Sequence, residues 1–326
     1  MKAATPNRGA SAAATVREWN SSYRPVDKVK NVLWIIVRSF LLFGICFIII
    51  YPILTKLSIA FKDRADIFDS TIVWIPRHFT MDNIYKAIEL LDYFEAVTNT
   101  FILSAGTAVL QVISCALAGY GFARLKFKGS SIVFALVVFT IVIPPQTIMA
   151  PTYLHFRFFD VFGLYGLFTG KPGVNLLESY WPFFISSATA MGMKNGLYIY
   201  IFRQFFRGLP KELEEAAYVD GAGIMKSFFK VMLPNAIPAM ATVALFSFVW
   251  QWNDDYFTNL YMANSVVLSK MLYILPSNLL AIRDEYSYVS LLINTATLLA
   301  IAPIFLLYLF AQRYFVESVE RTGLVG

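Results

Sequence analysis

Six long apolar segments limit what this chain can fold into more than any other feature of its sequence. Each approaches the roughly 20 residues that an α-helix needs to cross the hydrocarbon core of a bilayer. Continuous apolar runs, such as residues 132–143, lack the period-two alternation of membrane β-strands. The sequence therefore predicts an all-α membrane protein with six transmembrane helices in one domain. The predicted spans are 31–57, 96–122, 131–153, 179–203, 235–252 and 288–311.

The composition supports this class. Hydrophobic residues make up 58% of the chain and charged residues 15%, whereas charged residues are about 25% of a typical soluble domain. The net charge of +6 raises the alternative of nucleic-acid binding. The basic residues, however, lie between the apolar segments rather than on one face of a soluble domain. Anionic lipid and membrane topology account for them better.

The distribution of Lys and Arg predicts the orientation. With a cytoplasmic amino terminus, sixteen basic residues fall inside and eight outside, so both termini are predicted to be cytoplasmic. Residues 1–30 are polar and predicted to be disordered. They show no short apolar region with a cleavage site, so the first span is expected to remain as an anchor. Residues 312–326 form the predicted cytoplasmic tail.

No catalytic, cofactor or metal site is predicted in this chain. Cys46 and Cys115 lie within predicted spans, so buried, inert thiols are expected rather than a disulfide. His78 and His155 lie far apart without metal-ligand spacing and are interpreted as ordinary loop residues. The sequence also lacks a Gly-rich phosphate loop and a nucleophile elbow. If transport is energised, a partner must supply the energy.

A mostly polar segment, Glu215 to Pro238, separates the fourth and fifth predicted spans. Pro210 and the glutamates that follow it favour a short helix from Lys211 to Val219. Gly221 and Gly223 end this helix, and a second short helix is predicted from Ile224 to Leu233, stopped by Pro234. Small and charged side chains favour docking of another protein. The alternative is an amphipathic helix that rests on lipid.

The residues of this segment carry a family resemblance. The pattern E-A-A-x-x-D-G-A, which begins at Glu215 and is followed by Phe228 and Leu233-Pro234, resembles the cytoplasmic loop of ABC importer permeases. Residues 207–238 are called the EAA loop below. Further stretches are similar to the smaller permease of maltose-type sugar importers, over about residues 31–326. They are YGFARLKFKG (120–129), IPPQTIMAPTYL (143–154), RQFFRGLPKELEEAA (203–217), FVWQWND (248–254) and QRYFVESVERTGLVG (312–326).

The resemblance implies a type I ABC importer permease fold with a cytoplasmic coupling helix between transmembrane helices 4 and 5. It implies a cell-membrane complex with a second related permease, two cytoplasmic ATPases that bind ATP and Mg, and an extracytoplasmic sugar-binding protein. Glu215 would pair with a basic group of an ATPase, and the tail would reach between the ATPases. The residues implied in ATPase coupling are Glu215, Ala216, Ala217, Asp220, Gly221, Ala222, Phe228 and Pro234.

Two groups of residues are candidates for the substrate path. Lys194 and Asn195 fall near the middle of the fourth predicted span, where a charge is costly and a functional role is the default hypothesis. Lys194 could instead snorkel or pair for structural reasons. Trp252, Asn253 and Asp254 lie at the outer end of the fifth span and combine a ring with polar groups, as sugar sites do. The alternative is an interfacial Trp beside solvated polar groups.

The outer segment 160–182 is longer than the connection expected, with turn signals at Gly170 and Pro172-Gly173. It is interpreted either as a contact for the binding protein or the second permease, or as a passive insertion. Two alternative functions stay open: an autonomous secondary transporter or channel, and an ABC permease for a solute other than sugar. A secondary transporter would more often show internal repeats, broken helices in matching positions and several buried acids. The sequence shows no such repeat, and buried acids are nearly absent.

Overall fold

A computed structural model of the protein describes residues 25–69, 71–281 and 286–323. Most of the predicted disordered segment 1–30, and the last three residues of the predicted tail, lie outside these residues. Within the described residues the chain is helical and contains no β-strand, apart from two isolated bridges, Lys62 with Phe79 and Phe159 with Val174. The all-α prediction is therefore confirmed.

The helices are numbered here in chain order. A 3₁₀ turn at Pro145–Ile148 precedes α6, and a π-helical turn at Phe228–Met232 precedes α12. The helices are α1 (Pro25–Ala60), α2 (Arg64–Ile67), α3 (Asp82–Leu90), α4 (Tyr93–Arg124), α5 (Ser130–Phe139), α6 (Met149–Arg157), α7 (Leu164–Thr169), α8 (Trp181–Ala188), α9 (Asn195–Gly208), α10 (Glu212–Val219), α11 (Ile224–Ser227), α12 (Leu233–Asn235), α13 (Ile237–Trp252), α14 (Tyr256–Tyr261), α15 (Leu268–Ala281) and α16 (Tyr286–Gly323).

Three helices of the described chain are long and apolar enough to cross a membrane: Lys30–Ala60 within α1, all of α4, and Tyr286–Phe310 within α16. They correspond to the first, second and sixth predicted spans. Residues 224–235 and α13 meet at a bend of 78° and together form a fourth candidate, which includes the fifth predicted span. The predicted count of six spans stays a prediction.

The third and fourth predicted spans are not continuous helices. In the third, α5 ends at Phe139, and the chain turns through two prolines before α6 begins. In the fourth, α8 ends at Ala188 and α9 begins at Asn195, with Ala190 and Lys194 in the left-handed region at φ 57° and 62°. Left-handed residues do not continue a right-handed helix. The expectation of one unbroken helix in each span was therefore wrong.

The helix α4 lies at the centre of the fold and packs against α8, α9, α13 and α15. Its contact with α9 is close, because a Cβ at Gly119 would lie 2.5 Å from the Phe202 Cβ and 3.0 Å from the Arg203 nitrogen. Only glycine allows this approach of two helix backbones. Aromatic side chains continue the packing between α4 and α9, and they position the EAA loop at one end of the bundle.

The helix α1 packs mainly against α16, and none of its most apolar stretch is buried within the chain. Lys56 on α1 donates a hydrogen bond of 2.7 Å to the Asn294 side chain on α16. Cys115 is buried in α4, as expected, but Cys46 lies on the open face of α1, so the expectation of a buried thiol was wrong for Cys46. Such a continuous apolar face suits lipid or another membrane helix.

The segment between α1 and α3 is fixed by a buried carboxylate. Asp66 accepts a hydrogen bond of 2.9 Å from the His78 backbone nitrogen, and one of its oxygens lies 2.8 Å from His78 Nδ1. The backbone hydrogen bond is the main reason that the pKa of Asp66 lies below its usual value. His78 is therefore a structural contact of this segment.

Candidate functional site

The EAA loop contains the first predicted short helix almost as expected. The helix α10 begins at Glu212, one residue after the predicted start, and ends at Val219. Gly221 then has φ 78°, and the backbone nitrogens of Gly221 and Ala222 donate to the carbonyls of Tyr218 (3.0 Å) and Ala217 (2.9 Å). This is the Schellman pattern that ends a helix on a left-handed glycine.

The second predicted helix of the loop, Ile224 to Leu233, is present as a helical run from Ile224 to Asn235. It consists of α11, the π-helical turn and α12. The chain bends towards α13 at Ala236 rather than at Pro234, which lies inside α12. Proline was expected to stop the helix, but the helical run continues past it to Asn235.

Five of the eight residues implied in ATPase coupling are exposed on the described chain. Four of them, Glu215, Ala216, Asp220 and Gly221, lie on α10 and the turn after it, and Pro234 lies on α12. Val219, which the sequence interpretation did not include, is 88% exposed beside them. This outer face of α10 combines small side chains, two carboxylates and an apolar side chain, which a partner protein can approach closely.

The other implied residues face inward. Ala217 and Phe228 are buried, and Ala222 is half-buried. The Phe228 ring packs against Tyr120 on α4 and Phe206 on α9, at centroid distances of 4.9 and 6.1 Å. Phe228 therefore attaches the EAA loop to the two central helices and does not reach solvent.

A buried carboxylate beside these contacts was not singled out from the sequence. Glu214 accepts hydrogen bonds from the hydroxyls of Tyr120 and Tyr218, the latter at 2.8 Å. Arg124 Nε lies 3.7 Å from its second oxygen. These four residues are called the Glu214 cluster. The signal that could have revealed it is the YGFARLKFKG stretch, which supplies Tyr120 and Arg124, but nothing in that stretch names Glu214 as their partner.

Lys194 lies at a helix break within the fourth predicted span. It immediately precedes α9, and its Nζ lies 4.6 Å from the centre of the Trp250 ring on α13, within the range of a cation–π contact. Asn195 is buried. With its amide oxygen towards the preceding turn, it accepts from the backbone nitrogens of Met191 and Gly192 at 3.2 and 3.1 Å. Asn195 thus stabilises the break.

Polar side chains from the neighbouring helices form hydrogen bonds with backbone groups at this break. Gln111 on α4 donates 2.9 Å to the Met193 carbonyl and accepts from the Ser247 hydroxyl on α13. Ser114 donates 2.6 Å to the Ser187 carbonyl at the end of α8. Backbone groups that leave a helix at membrane depth need such internal partners. A cavity of about 80 Å³ adjoins them and is lined by Gln251 among others, with room for a few water molecules.

The candidate residues at the end of α13 differ in exposure: two are buried and one is exposed. Trp252 is buried: its ring stacks on Phe248 at 5.6 Å, and its Nε1 donates 3.3 Å to the Ala300 carbonyl. Asp254 is also buried and caps the next turn, accepting from the Thr258 nitrogen and hydroxyl at 2.9 and 3.0 Å. The alternative of a solvated Asp254 was therefore wrong. Asn253 is exposed and lines a second cavity of about 260 Å³.

The outer segment 160–182 is a folded loop. Asp160 accepts hydrogen bonds of 2.7 and 2.9 Å from the backbone nitrogens of Tyr165 and Gly166, which begin α7. Phe162 and Phe168 are 97% and 83% exposed near its tip. The tip is therefore an apolar surface, and its contact with another protein stays a prediction.

The chain is similar in sequence to known transport proteins. A family model described as "Binding-protein-dependent transport system inner membrane component" matches residues 94–321. The osmoprotective compounds uptake permease protein GgtD of Synechocystis is 31% identical over 281 residues, which cover 84% of this chain and 87% of that protein. The melibiose/raffinose/stachyose import permease protein MelC of Bacillus subtilis is 30% identical over 277 residues, or 84% of this chain and 91% of that protein.

A solved structure also resembles the whole fold. It belongs to a bacterial ABC transporter involved in the import of the acidic polysaccharide alginate. The matched chain gives a TM-score of 0.68 at 19% identity and covers 90% of this chain and 99% of its own. At this identity the likeness shows a shared fold.

Proposed function

The chain belongs to the family of binding-protein-dependent transport system inner membrane components, and we propose that it is a permease subunit of an ATP-driven carbohydrate ABC importer. The sugar-transport names of relatives such as MelC support the substrate class, and the fold shared with the alginate importer supports the architecture. ATP and Mg belong to partner ATPases in this proposal. A second permease and an extracytoplasmic sugar-binding protein complete the transporter.

The main support for the proposal is that the EAA loop has one exposed side and one side packed against the helical bundle. One side of α10 is exposed and presents Glu215, Ala216 and Asp220. The other side is attached to α4 and α9 through Phe228 and the Glu214 cluster. A loop that only rested on lipid would more often present Lys and Arg to the headgroups. We therefore assign α10 as the coupling helix that docks on an ATPase.

The proposal retains six spans with both termini in the cytoplasm. The third and fourth spans then consist of α5 with α6 and of α8 with α9. The helix α16 continues to Gly323, so the predicted tail begins as its extension on the ATPase side. The break before α9, with Lys194 and Asn195, and the exposed Asn253 directly after α13 are the parts of this chain proposed to border the substrate path.

The substitution Glu215→Ala tests the coupling assignment. Removal of one member of a close interfacial charge pair costs about 2–5 kcal/mol, so we expect ATP hydrolysis to become uncoupled from sugar uptake. The measurement compares uptake with ATP hydrolysis in vesicles that contain the complete transporter and its binding protein. Glu89→Ala removes another exposed carboxylate, on α3 and outside the EAA loop, and serves as the control. Coupling equal to that of the control would contradict the assignment.

A further inference from the structure

Glu214 is a buried carboxylate at the junction between the EAA loop and the helical bundle. Its side chain is 10% exposed, and the side chain of its cationic neighbour Arg124 is 8% exposed. Burial of a charge is unfavourable unless hydrogen bonds and an opposite charge compensate it. Here two tyrosine hydroxyls donate to the same carboxylate oxygen, and Arg124 faces the other oxygen. Glu214 is thus held from several sides.

The Glu214 cluster joins three separate elements. Tyr120 and Arg124 belong to α4, whereas Glu214 and Tyr218 belong to α10. Arg124 Nη2 also donates 2.6 Å to the carbonyl of Leu209, the residue directly after α9. The carboxylate therefore connects the exposed helix of the loop to the ends of both central helices.

The two tyrosine contacts differ in what they connect. The hydrogen bond from Tyr218 stays within α10, one turn away from Glu214. The hydrogen bond from Tyr120 crosses from α4, and the Tyr120 ring also packs against Phe206 on α9 at 5.7 Å. Burial and the Glu214 carboxylate raise the pKa of Tyr218, so that its hydroxyl keeps the proton that it donates.

We propose that Glu214 is a positioning residue that fixes the orientation of α10 against α4, so that movement of the docked loop is transmitted to the membrane helices. This inference rests on the proposed function of α10 as the coupling helix. It assigns to Glu214 and Tyr120 a role distinct from that of the neighbouring Glu215: Glu215 contacts the ATPase, whereas Glu214 transmits the movement. Phe228 supplies apolar contact to the same junction but has no polar atom to set its direction.

The test uses the complete transporter, with its binding protein, in vesicles. Glu214→Gln keeps the size of the side chain and removes its charge, and Tyr120→Phe removes one hydroxyl while keeping the ring. We expect each variant to lower the ratio of sugar taken up to ATP hydrolysed, at least threefold for Tyr120→Phe and about tenfold for Glu214→Gln. In the double variant the loss should not exceed that of Glu214→Gln alone, because interacting residues are not additive.

Two control variants match these changes in chemistry. Glu89→Gln neutralises an exposed carboxylate of α3, outside the EAA loop, and Tyr200→Phe removes an exposed hydroxyl from α9. Both are expected to keep the uptake ratio of the unmodified transporter. Hydrogen exchange adds a structural measurement: the amides of α10 should exchange faster in Tyr120→Phe, while those in the middle of α4 keep their protection.

An uptake ratio in Tyr120→Phe and Glu214→Gln equal to that of the controls would overturn the inference. So would a failure of Tyr120→Phe to assemble into the complex, because the contact would then serve folding alone. These outcomes are separable from failure of the proposed function. If Glu215→Ala uncouples the transporter and the Glu214 variants do not, the assignment of α10 as the coupling helix is retained and the positioning role of Glu214 is rejected.

Discussion

At the scale of single residues, Glu214 and Glu215 are neighbours in α10 that meet opposite surroundings. Successive residues of an α-helix point about 100° apart, so one carboxylate enters the bundle while the next faces outward. Both suit the first turn of a helix, and the sequence distinguishes neither by type nor by spacing. The difference comes from Tyr120, whose hydroxyl donates to Glu214 and which lies 94 residues earlier in the chain.

Gly221 allows a prediction at the same scale. Its φ of 78° lies in the left-handed region, and an added Cβ would meet no atom within 4 Å, so the conformation alone sets the cost. We expect Gly221→Ala to destabilise the loop by about 1 kcal/mol. Gly223→Ala is the matched control, because Gly223 has φ −76° and is equally open. The measurement is the thermal unfolding of each purified variant in detergent; equal melting temperatures would contradict the prediction.

At the scale of helices, the contact between α4 and α9 gives a second prediction. A Cβ at Gly119 would overlap the Phe202 Cβ, whereas a Cβ at Gly121 on the same helix would meet nothing within 4 Å. We expect Gly119→Ala to destabilise the bundle by about 1–3 kcal/mol through overpacking. Gly121→Ala should be neutral or slightly stabilising, because alanine favours a helix more than glycine does. Thermal unfolding in detergent compares them, and an unaffected Gly119→Ala would mean that the helices separate at little cost.

The helix boundaries show how much of the fold local sequence can predict. The helix α10 is predicted to within one residue, because Pro210, the glutamates and Gly221 all act within a few residues of the helix ends. The break before α9 is not predicted, because Ala190 and Lys194 are ordinary residues that adopt left-handed backbone there. Its freed backbone groups find partners on α4, through Gln111 and Ser114, and that pairing depends on tertiary packing.

The same breaks affect the choice between functions. Broken helices in matching positions are expected more often of a secondary transporter. The structure has broken helices in the third and fourth predicted spans. Broken helices therefore do not distinguish a secondary transporter from a permease subunit. The property that distinguishes them is whether transport requires partner proteins.

The segment between α1 and α3 gives a prediction of pH dependence. The pKa of Asp66 lies below its usual value in the folded protein, so its ionised form favours the folded segment. This contribution is fully present above the unfolded pKa of about 3.9 and is lost as the pH falls through the lower, folded pKa. We expect acid to expose the segment to proteolysis, and Asp66→Asn to weaken this pH dependence. The measurement is limited cleavage by an acid-active protease in vesicles.

Loss of protection with the same pH profile in the unmodified protein and in Asp66→Asn would contradict this explanation. Thr80→Ala is a suitable control, because the Thr80 hydroxyl contacts the backbone nitrogen of Asp82 at 3.1 Å in the same segment rather than a carboxylate. Its pH profile should follow that of the unmodified protein.

At the scale of the whole molecule, the proposal predicts that the chain cannot transport by itself. Vesicles that contain only this protein should show no sugar uptake with or without ATP, because energy and half of the pathway come from partners. Uptake should appear when the second permease, the ATPases and the binding protein are added together with ATP. Uptake by the purified chain alone would instead identify it as an autonomous transporter or channel.

The pairing of α1 with α16 has a consequence for how the protein is made. These two helices are the first and last of the described chain, and α1 leaves the ribosome long before its main neighbour. Until α16 is synthesised, α1 must therefore remain in the lipid as a separate apolar helix, and its Lys56 has no Asn294 to contact. A chain that terminated before α16 would leave α1 without this neighbour. The unpaired α1 would then be the feature by which membrane quality control recognises the truncated chain.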